Sequence, residues 1–218
     1  MKNKLQVGVI GLGKFGFKFG KSLMSLGQEV LGIDSDEDNI KKSQHEFTQV
    51  FLADATNKQA LEQIRVQDLE HILVSVGDSI AASAMIAMYL KELGVPKIWV
   101  KAIHRDHEKL LYKVGVDEVI IPEYMAAKQI ASRIAIPGFI EHLQFDPSMA
   151  VREFSIDKWD GKTLRNIDLT NKYSIQVIAI KMKGENSYRY IPKADDLLNS
   201  GDTIVVIGPI VQLEKLLP

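Results

Sequence analysis

The stretch that decides the fold is VGVIGLGKFGFKFGKSL, residues 7–23. A short apolar run leads directly into Gly11, Gly13 and Gly16, and an amphipathic segment follows. At a strand–turn–helix junction, the first glycine permits a tight turn, the second lets backbone approach a pyrophosphate, and the third allows close helix packing. The helix N-terminus then presents free N–H groups to phosphates. The stretch predicts a phosphate-binding loop; the alternative is a glycine turn that tightens the connection and binds nothing.

The segment that follows supports a nucleotide. EVLGID, residues 29–34, is typical of a second strand, and its last residue, Asp34, lies about 20 residues beyond the loop. An acid at this position bonds ribose hydroxyls, so the two signals together predict an adenosine-type ligand. The carboxylate would repel a 2′-phosphate, and this disfavours NADP. Asp36 is interpreted either as the cap of the next helix or as a ligand contact.

Alternation of strand and helix continues through the first part of the chain. β-branched runs typical of strands lie at residues 5–11, 29–34, 48–53, 71–77, 97–102 and 117–122. Segments with helical spacing lie at 14–26, 36–44, 58–64, 80–93, 106–114 and 123–134. This order predicts an α/β fold with a Rossmann-like, doubly wound parallel sheet that carries helices on both faces.

The alternation stops at IAIPGFIEHLQFDPSM, residues 134–149, which contains two turn-forming pairs, Pro137-Gly138 and Asp146-Pro147. Beyond it, the patterns predict strands at 150–156, 174–182, 188–192 and 202–208, short helical pieces at 164–172 and 210–217, and a hairpin loop at 183–187. We therefore expect a nucleotide-binding Rossmann-like domain at 1–135, a linker at 136–147 and a small α+β C-terminal domain at 148–218.

The candidate binding residues follow the predicted strands, where open α/β sheets bind ligands. Thr56 is alternatively a helix cap, and Lys14 and Lys101 are alternatively ordinary surface lysines. The motif Ser75-Val76-Gly77-Asp78 follows the fourth strand. The full candidate set is Gly11, Gly13, Lys14, Phe15, Gly16, Asp34, Ser35, Asp36, Asp54, Ala55, Thr56, Val76, Gly77, Lys101 and Glu123.

Composition limits the class of protein. The 218 residues carry 27 basic and 28 acidic side chains, so a nucleic-acid partner is not expected. The chain has no cysteine, which excludes disulfides, a thiol nucleophile and thiolate metal sites. The longest apolar helix candidate, residues 80–90, is about half of the roughly 20 residues that a bilayer span needs. No signal peptide is recognised, an intracellular setting is expected, and any membrane role would have to come through a partner.

No catalytic constellation is recognised in the sequence. His104-Arg105-Asp106-His107 is interpreted as an exposed polar turn that begins a helix, with Asp106 as its cap. The C-terminal module offers no positioned acid or base, which a dehydrogenase needs. We predict that the protein is not an enzyme. The alternatives are a small NAD-dependent oxidoreductase and a ligand sensor without a membrane partner.

Five segments together resemble the N-terminal domain of RCK (regulator of potassium conductance) proteins, among them the cytosolic KtrA/TrkA-type subunits of bacterial potassium-uptake systems. They are VGVIGLGKFG, DSDED, FLADAT, ILVSVGDSIAASAMIAMYLKELGVPKIWVKA and KVGVDEVIIPE. The later segment DGKTLRNIDLTNKYSIQVIAIKMKGENSYRYIPKADDLLNSGDTIVVIGP resembles the small C-terminal domain of the same proteins.

The resemblance implies a regulator that is not an enzyme, a homodimer that assembles into a homo-octameric ring beneath a membrane potassium-translocating subunit. It places the protein in the cytoplasm, peripheral on the inner face of the membrane. It implies ATP and ADP as activating and inactivating ligands, with NAD or NADH as the alternative. Lys14 stands where many relatives have an arginine that reaches a terminal phosphate from a neighbouring subunit. Glu123 would help to hold a divalent or monovalent cation at the nucleotide interface.

Some family members bind cyclic di-AMP in the C-terminal domain, with an arginine and apolar residues. This sequence has Thr170 at the arginine position, whereas Ile167, Ile175 and Pro192 keep the apolar ones. Because the charge is missing, the resemblance does not carry cyclic di-AMP binding over to this chain.

Overall fold

The protein is described from a computed structural model, and the chain divides into two compact units, Met1–Glu123 and Tyr124–Pro218. The described residues are 5–77, 79–136, 138–143 and 146–218. The candidate loop residue Asp78 and parts of the predicted linker therefore lie outside them. The predicted domain boundaries at 135 and 148 stay a prediction.

Strands and helices alternate in the first unit, as predicted. In chain order they are β1 Gln6–Ile10, α1 Lys14–Ser25, β2 Glu29–Asp34, α2 Glu37–Ser43, β3 Gln49–Leu52, α3 Lys58–Ile64, β4 His71–Val74, α4 Ile80–Glu92, β5 Lys97–Lys101, α5 Arg105–Val114 and β6 Glu118–Ile120. The next helix, α6 at Pro122–Ala135, begins in the first unit and continues into the second.

The six strands form one parallel sheet in the order β3-β2-β1-β4-β5-β6. Val7 of β1 pairs with Val30 of β2 on one side and with His71 of β4 on the other. The direction of winding reverses between β1 and β4, which confirms the predicted doubly wound fold. Since all strands are parallel, their carboxyl ends lie at one edge of the sheet, and the reversal opens the crevice in which such folds bind ligands.

The sheet is buried on both faces because its strands are apolar at successive positions. Ile10 and Val74 belong to one buried cluster, whereas Val9 and Leu73 belong to another. Neighbouring residues of a strand point to opposite faces, so the two clusters lie on opposite sides of the sheet. Each fully buried side chain of this size contributes roughly 1.5–3 kcal/mol to the stability of the fold. The sheet is therefore a stable support for the loops at its edge.

The second unit is built on an antiparallel sheet in the order β11-β10-β13-β8-β7, beside a two-stranded β12-β9 ribbon. Its elements are β7 Phe139–Leu143, β8 Asp146–Ser155, β9 Lys162–Thr163, α7 Leu164–Ile167, α8 Leu169–Tyr173, β10 Gln176–Lys181, β11 Arg189–Tyr190, β12 Leu197–Leu198, β13 Thr203–Pro209 and α9 Ile210–Leu213. The pairing of β10 with β11 agrees with the predicted hairpin, and the unit has the predicted α+β character.

Three details of the second unit differ from the prediction. The sequence predicts one helical piece at 164–172, but Asp168 has a left-handed conformation with φ 57° and splits it into α7 and α8. The strand expected at 188–192 is only β11, because Ile191 has a positive φ of 54°. The segment predicted as a linker contains β7, which pairs with β8.

In the described part of the chain, no helix is both long enough and apolar enough to span a membrane.

Candidate functional site

The glycine loop joins β1 to α1 at the carboxyl edge of the sheet. Gly11 has a positive φ of 89°, and a Cβ there would overlap the carbonyl oxygen of Ser75. A Cβ at Gly16 would overlap the carbonyl oxygen of Gly11. Around Gly13, by contrast, no described atom beyond the residue itself and its two chain neighbours lies within 4 Å of the Cβ position. The fold itself therefore requires glycine at positions 11 and 16. At Gly13 a Cβ would meet no such obstacle, and the space next to the loop is open.

The N-terminus of α1 is open toward this space. Among the described residues, no side chain caps the helix at Gly13, and the first turn carries no acidic residue. The first N–H groups of a helix have no partner within the helix and carry a partial positive charge. Lys14 is exposed at this end, and Phe15 is half-buried. The arrangement suits an anion such as a phosphate.

Asp34 lies beside the loop, at the end of β2. Its Oδ2 accepts hydrogen bonds from the Leu12 N–H at 2.5 Å and from the Asn39 side-chain amide at 3.1 Å. Its Oδ1 accepts from the Asp36 N–H at 2.9 Å. The carboxylate is half-buried and is fixed by one donor from the glycine loop and two from the start of α2. Asn39 is a contact that sequence reasoning missed, since the spacing of a short helix gives no sign of it.

Asp36 is the N-cap of α2. Its Oδ1 accepts a hydrogen bond from the Asp38 N–H at 2.7 Å, as the capping interpretation predicts. The neighbouring Ser35 is exposed. A contact of either residue with a ligand stays a prediction.

The loops after β3 and β4 place further candidates at the same edge. Asp54 Oδ1 accepts from the hydroxyl of Thr56 at 2.7 Å and from its N–H at 2.9 Å, and these bonds hold the pKa of Asp54 below its usual value. Ala55 is buried. The interpretation of Thr56 as a helix cap is wrong, because Asn57 caps α3 and accepts from the Gln59 N–H.

After β4, Val76 is half-buried and Gly77 is exposed with a positive φ of 42°. The next described residue, Ser79, caps α4 by accepting a hydrogen bond from the Ala82 N–H.

Lys101, at the end of β5, forms an ion pair with Glu123, in the first turn of α6. The Nζ of Lys101 lies 3.1 Å from Oε1 of Glu123, and the lysine side chain is only 18% exposed against 69% for the glutamate. The pKa of Glu123 lies below its usual value because its own N–H and the Lys101 ammonium donate to the carboxylate. The structure therefore brings these two candidates together, with the charged head of Glu123 facing solvent.

The predicted polar turn at residues 104–107 is wrong in part. Asp106 does not cap α5; His104 does, because its Nδ1 accepts from the His107 N–H at 3.3 Å. His107 is buried, with 2% of its surface exposed. Its Nε2 lies 2.9 Å from Ser83 Oγ of α4, and its Nδ1 accepts from the Ile103 N–H at 3.3 Å. Since Nδ1 accepts, the ring proton is assigned to Nε2, which donates to Ser83.

This histidine is a structural residue held neutral in the interior. Burial, and after it the proximity of His104, lowers the pKa of His107 from its ordinary value of 6.5. A signal was present in the sequence: His107 lies four residues before the buried Leu111, and positions four apart share one helix face. In the described part of the chain, no group of three or more His, Cys, Asp or Glu side chains is arranged to hold a metal ion.

Family models match most of the chain in two blocks. The TrkA-N domain matches residues 7–122, and the TrkA-C domain matches residues 151–218. The chain belongs to the TrkA family. The predicted resemblance to KtrA/TrkA-type proteins is thereby confirmed.

Relatives of known name align over nearly the whole length. The chain is 32% identical over 213 residues to the Ktr system potassium uptake protein C of Bacillus subtilis (strain 168), covering 97% of this chain and 96% of that protein. It is also 32% identical over 209 residues to the Ktr system potassium uptake protein A of the same bacterium, covering 95% and 93%.

Solved structures share the fold. The GsuK channel bound to NAD matches with a TM-score of 0.57 at 19% identity, covering 98% of this chain and 38% of that one. GsuK bound to ADP matches with a TM-score of 0.53 at 15% identity, covering 61% and 35%. This chain spans less than two fifths of the length of these GsuK chains, and the similarity at this level of identity is one of fold.

The TrkA-C domain contains a cavity of about 420 Å³ that includes three residues singled out in the sequence, Thr170, Ile175 and Pro192. The fourth, Ile167, packs in the buried cluster of the domain and does not line the cavity. Arg165 lines it, and its guanidinium forms a two-pronged ion pair with Asp195 at 2.8 and 3.2 Å. The cavity thus has an arginine, but one already paired with a carboxylate.

Proposed function

We propose that the chain is a cytoplasmic regulatory subunit that binds an adenine nucleotide in its TrkA-N domain and controls potassium transport through a membrane partner. The observation that carries the proposal is the uncapped N-terminus of α1 beside Asp34, in a chain that aligns end to end with Ktr potassium uptake proteins. The glycine loop supplies the phosphate site and Asp34 the ribose site.

The phosphates of the nucleotide would lie over Gly13, where space is open and the helix N–H groups converge. Lys14 begins α1 and would add a positive charge, as a point charge rather than the bidentate fork of an arginine. ATP and ADP are the proposed ligands, with NAD or NADH as the alternative. GsuK, which shares the fold, has been solved with NAD and with ADP, and this supports both kinds of ligand as candidates.

The adenosine would lie toward β2 and β3. Ser35 and Asp36 follow Asp34, while Asp54, Ala55 and Thr56 begin the next loop along the same edge. Val76 and Gly77, at the end of β4, stand on the other side of the glycine loop.

Lys101 and Glu123 are the charged pair at this edge that the phosphates of a bound nucleotide would affect. Glu123 is proposed to help hold a divalent or monovalent cation once a nucleotide brings further oxygen ligands. Its carboxylate is exposed and ionised, and its present counter-ion is Lys101. Hard cations of this kind prefer such oxygen ligands.

The proposed assembly is a homodimer that builds a homo-octameric ring beneath the membrane subunit. Support comes from α6, which exposes Met125, Ile130 and Ile134 at 61%, 56% and 80%. Large apolar side chains grouped on one helix are typical of an interaction surface. The nucleotide would favour one of two ring geometries, by no more than its difference in affinity for the two.

A ligand-dependent melting experiment tests the proposal. ADP or ATP at 100 times its Kd should stabilise the TrkA-N domain by about 2.7 kcal/mol through mass action. Asp34→Ala should remove most of this shift because the ribose loses its acceptor. Asp38→Ala is the matched control, since it removes an acid four residues further along, in α2, whose side chain is 79% exposed. The readout is the ligand-induced change in melting temperature, because Asp34→Ala also loses internal hydrogen bonds.

The same samples separate the alternatives. NAD, NADH and cyclic di-AMP are run in parallel, and the oligomer mass is measured. The proposal expects an oligomer with no nucleotide turnover. A monomer that ignores ATP and ADP and oxidises a substrate with NAD would establish the oxidoreductase instead.

A further inference from the structure

Asp34 has little hydrogen-bonding capacity left for a ligand. A carboxylate offers about four lone-pair positions, two on each oxygen. Among the described residues, Oδ2 already receives the Leu12 N–H and the Asn39 amide, and Oδ1 receives the Asp36 N–H. One position therefore remains, on Oδ1.

A ribose presents two neighbouring hydroxyl groups, each able to donate to a carboxylate. An acid with both oxygens open can accept both hydroxyls at once. Here both acceptor positions of Oδ2 are filled, and the second of the two donors is the side-chain amide of Asn39, in the first turn of α2. The Leu12 bond belongs to the glycine loop backbone and cannot be removed by substitution, whereas the Asn39 bond can.

We propose that Asn39 is a specificity-determining residue that restricts Asp34 to one of the two ribose hydroxyls. The inference rests on the proposed adenine-nucleotide site and adds to it the ribose chemistry that the site reads. Asn39 acts through Asp34 and is a positioning residue: it fixes Oδ2 and leaves Oδ1 to the ligand. The site should therefore bind a nucleotide that lacks one of the two hydroxyls almost as well as the complete nucleotide, and it should bind a nucleotide that lacks the other hydroxyl much more weakly.

The local structure fixes the orientation of the Asn39 side chain toward Asp34. Asp36 caps α2 and holds its first turn, and the Asn39 carbonyl accepts from the Ser43 hydroxyl at 2.8 Å. Asn39 is half-buried, so its position in α2 restricts where the side-chain amide can point. The donor set of Asp34 therefore comes from a rigid frame.

The test compares ADP, 2′-deoxy-ADP and 3′-deoxy-ADP by calorimetry on the full chain. In the unmodified protein, one deoxy analogue should bind within about 2-fold of ADP, and the other about 10-fold or more weaker, as a hydrogen bond to a charged group requires. In Asn39→Ala, Oδ2 regains an acceptor position, so both analogues should bind about 10-fold weaker than ADP. Asn39→Leu, which keeps the volume without the donor, should behave in the same way.

Asp38→Ala should keep the asymmetry of the unmodified protein, because Asp38 donates nothing to Asp34. The inference would be overturned if both analogues lost the same affinity relative to ADP in the unmodified protein, or if the asymmetry were unchanged in both Asn39 variants. In either case, continued binding of ADP would leave the proposed nucleotide site standing. No binding of ADP by any of these proteins would overturn the proposed nucleotide site and the inference together.

Discussion

Gly16→Ala is expected to lower the free energy of unfolding of the TrkA-N domain by about 3 kcal/mol. The added Cβ would overlap the carbonyl oxygen of Gly11 and approach Val9 Cγ1 to 3.2 Å. The obstacle is backbone, and it cannot swing away, because the Gly11 N–H is bonded to the Ile33 carbonyl at 2.8 Å. Native-state hydrogen exchange of the amides of β1 and β4 measures this loss in the full chain.

Gly13→Ala is the matched control for that change. Beyond the two chain neighbours, no described atom lies within 4 Å of the new Cβ, so the loss of stability should stay under about 1 kcal/mol. The methyl group would, however, occupy the space proposed for the phosphates, and ADP should no longer shift the melting temperature. Equal destabilisation by the two substitutions would contradict the distinction between a glycine that the fold needs and one that the ligand needs.

The second large effect concerns acid and the buried His107. The folded pKa of this group lies below its unfolded value of 6.5, so the unfolded chain binds the proton more readily. The stability that neutral His107 contributes is therefore full above pH 6.5 and is lost as the pH falls through the folded pKa. Protonation also fills Nδ1, which ends its bond with the Ile103 N–H. Hydrogen exchange of α4 and α5 amides between pH 8 and pH 5 reports the loss.

His107→Gln separates the charge from the packing. Glutamine keeps a donor and an acceptor but does not titrate, so the difference in stability between the two proteins should shrink as the pH falls. His107→Ala should instead cost about 3 kcal/mol at pH 8, because it leaves a cavity and unpaired polar groups. An identical acid dependence in His107→Gln would contradict the assignment.

The TrkA-N fold was predictable because its signals are local. The apolar run before Gly11 and the strand that ends at Asp34 each carry their own pattern within a few residues. The second unit was harder. Strand β7 exists because it pairs with β8, and the β9–β12 ribbon joins residues far apart in sequence. Such pairings are set by tertiary contacts that no short window contains.

The site was predictable to the level of segments rather than contacts. The parallel sheet brings the predicted loops to one edge, yet the sequence does not indicate that Lys101 pairs with Glu123. Thr56 and Asn57 are both good helix caps, and only the observed turn at Asp54 decides between them. The role of Asn39 likewise depends on the placement of α2 beside the end of β2, which brings the Asn39 amide to Asp34.

The central claim, that this chain regulates potassium transport through a nucleotide held at the glycine loop, is tested most directly by potassium uptake in its source organism. The gene is deleted and replaced with the unmodified sequence or with Gly13→Ala. The account predicts that deletion changes the rate of uptake, that the unmodified chain restores it, and that folded Gly13→Ala does not. Uptake that is indifferent to the deletion, or restored equally by both chains, would contradict it.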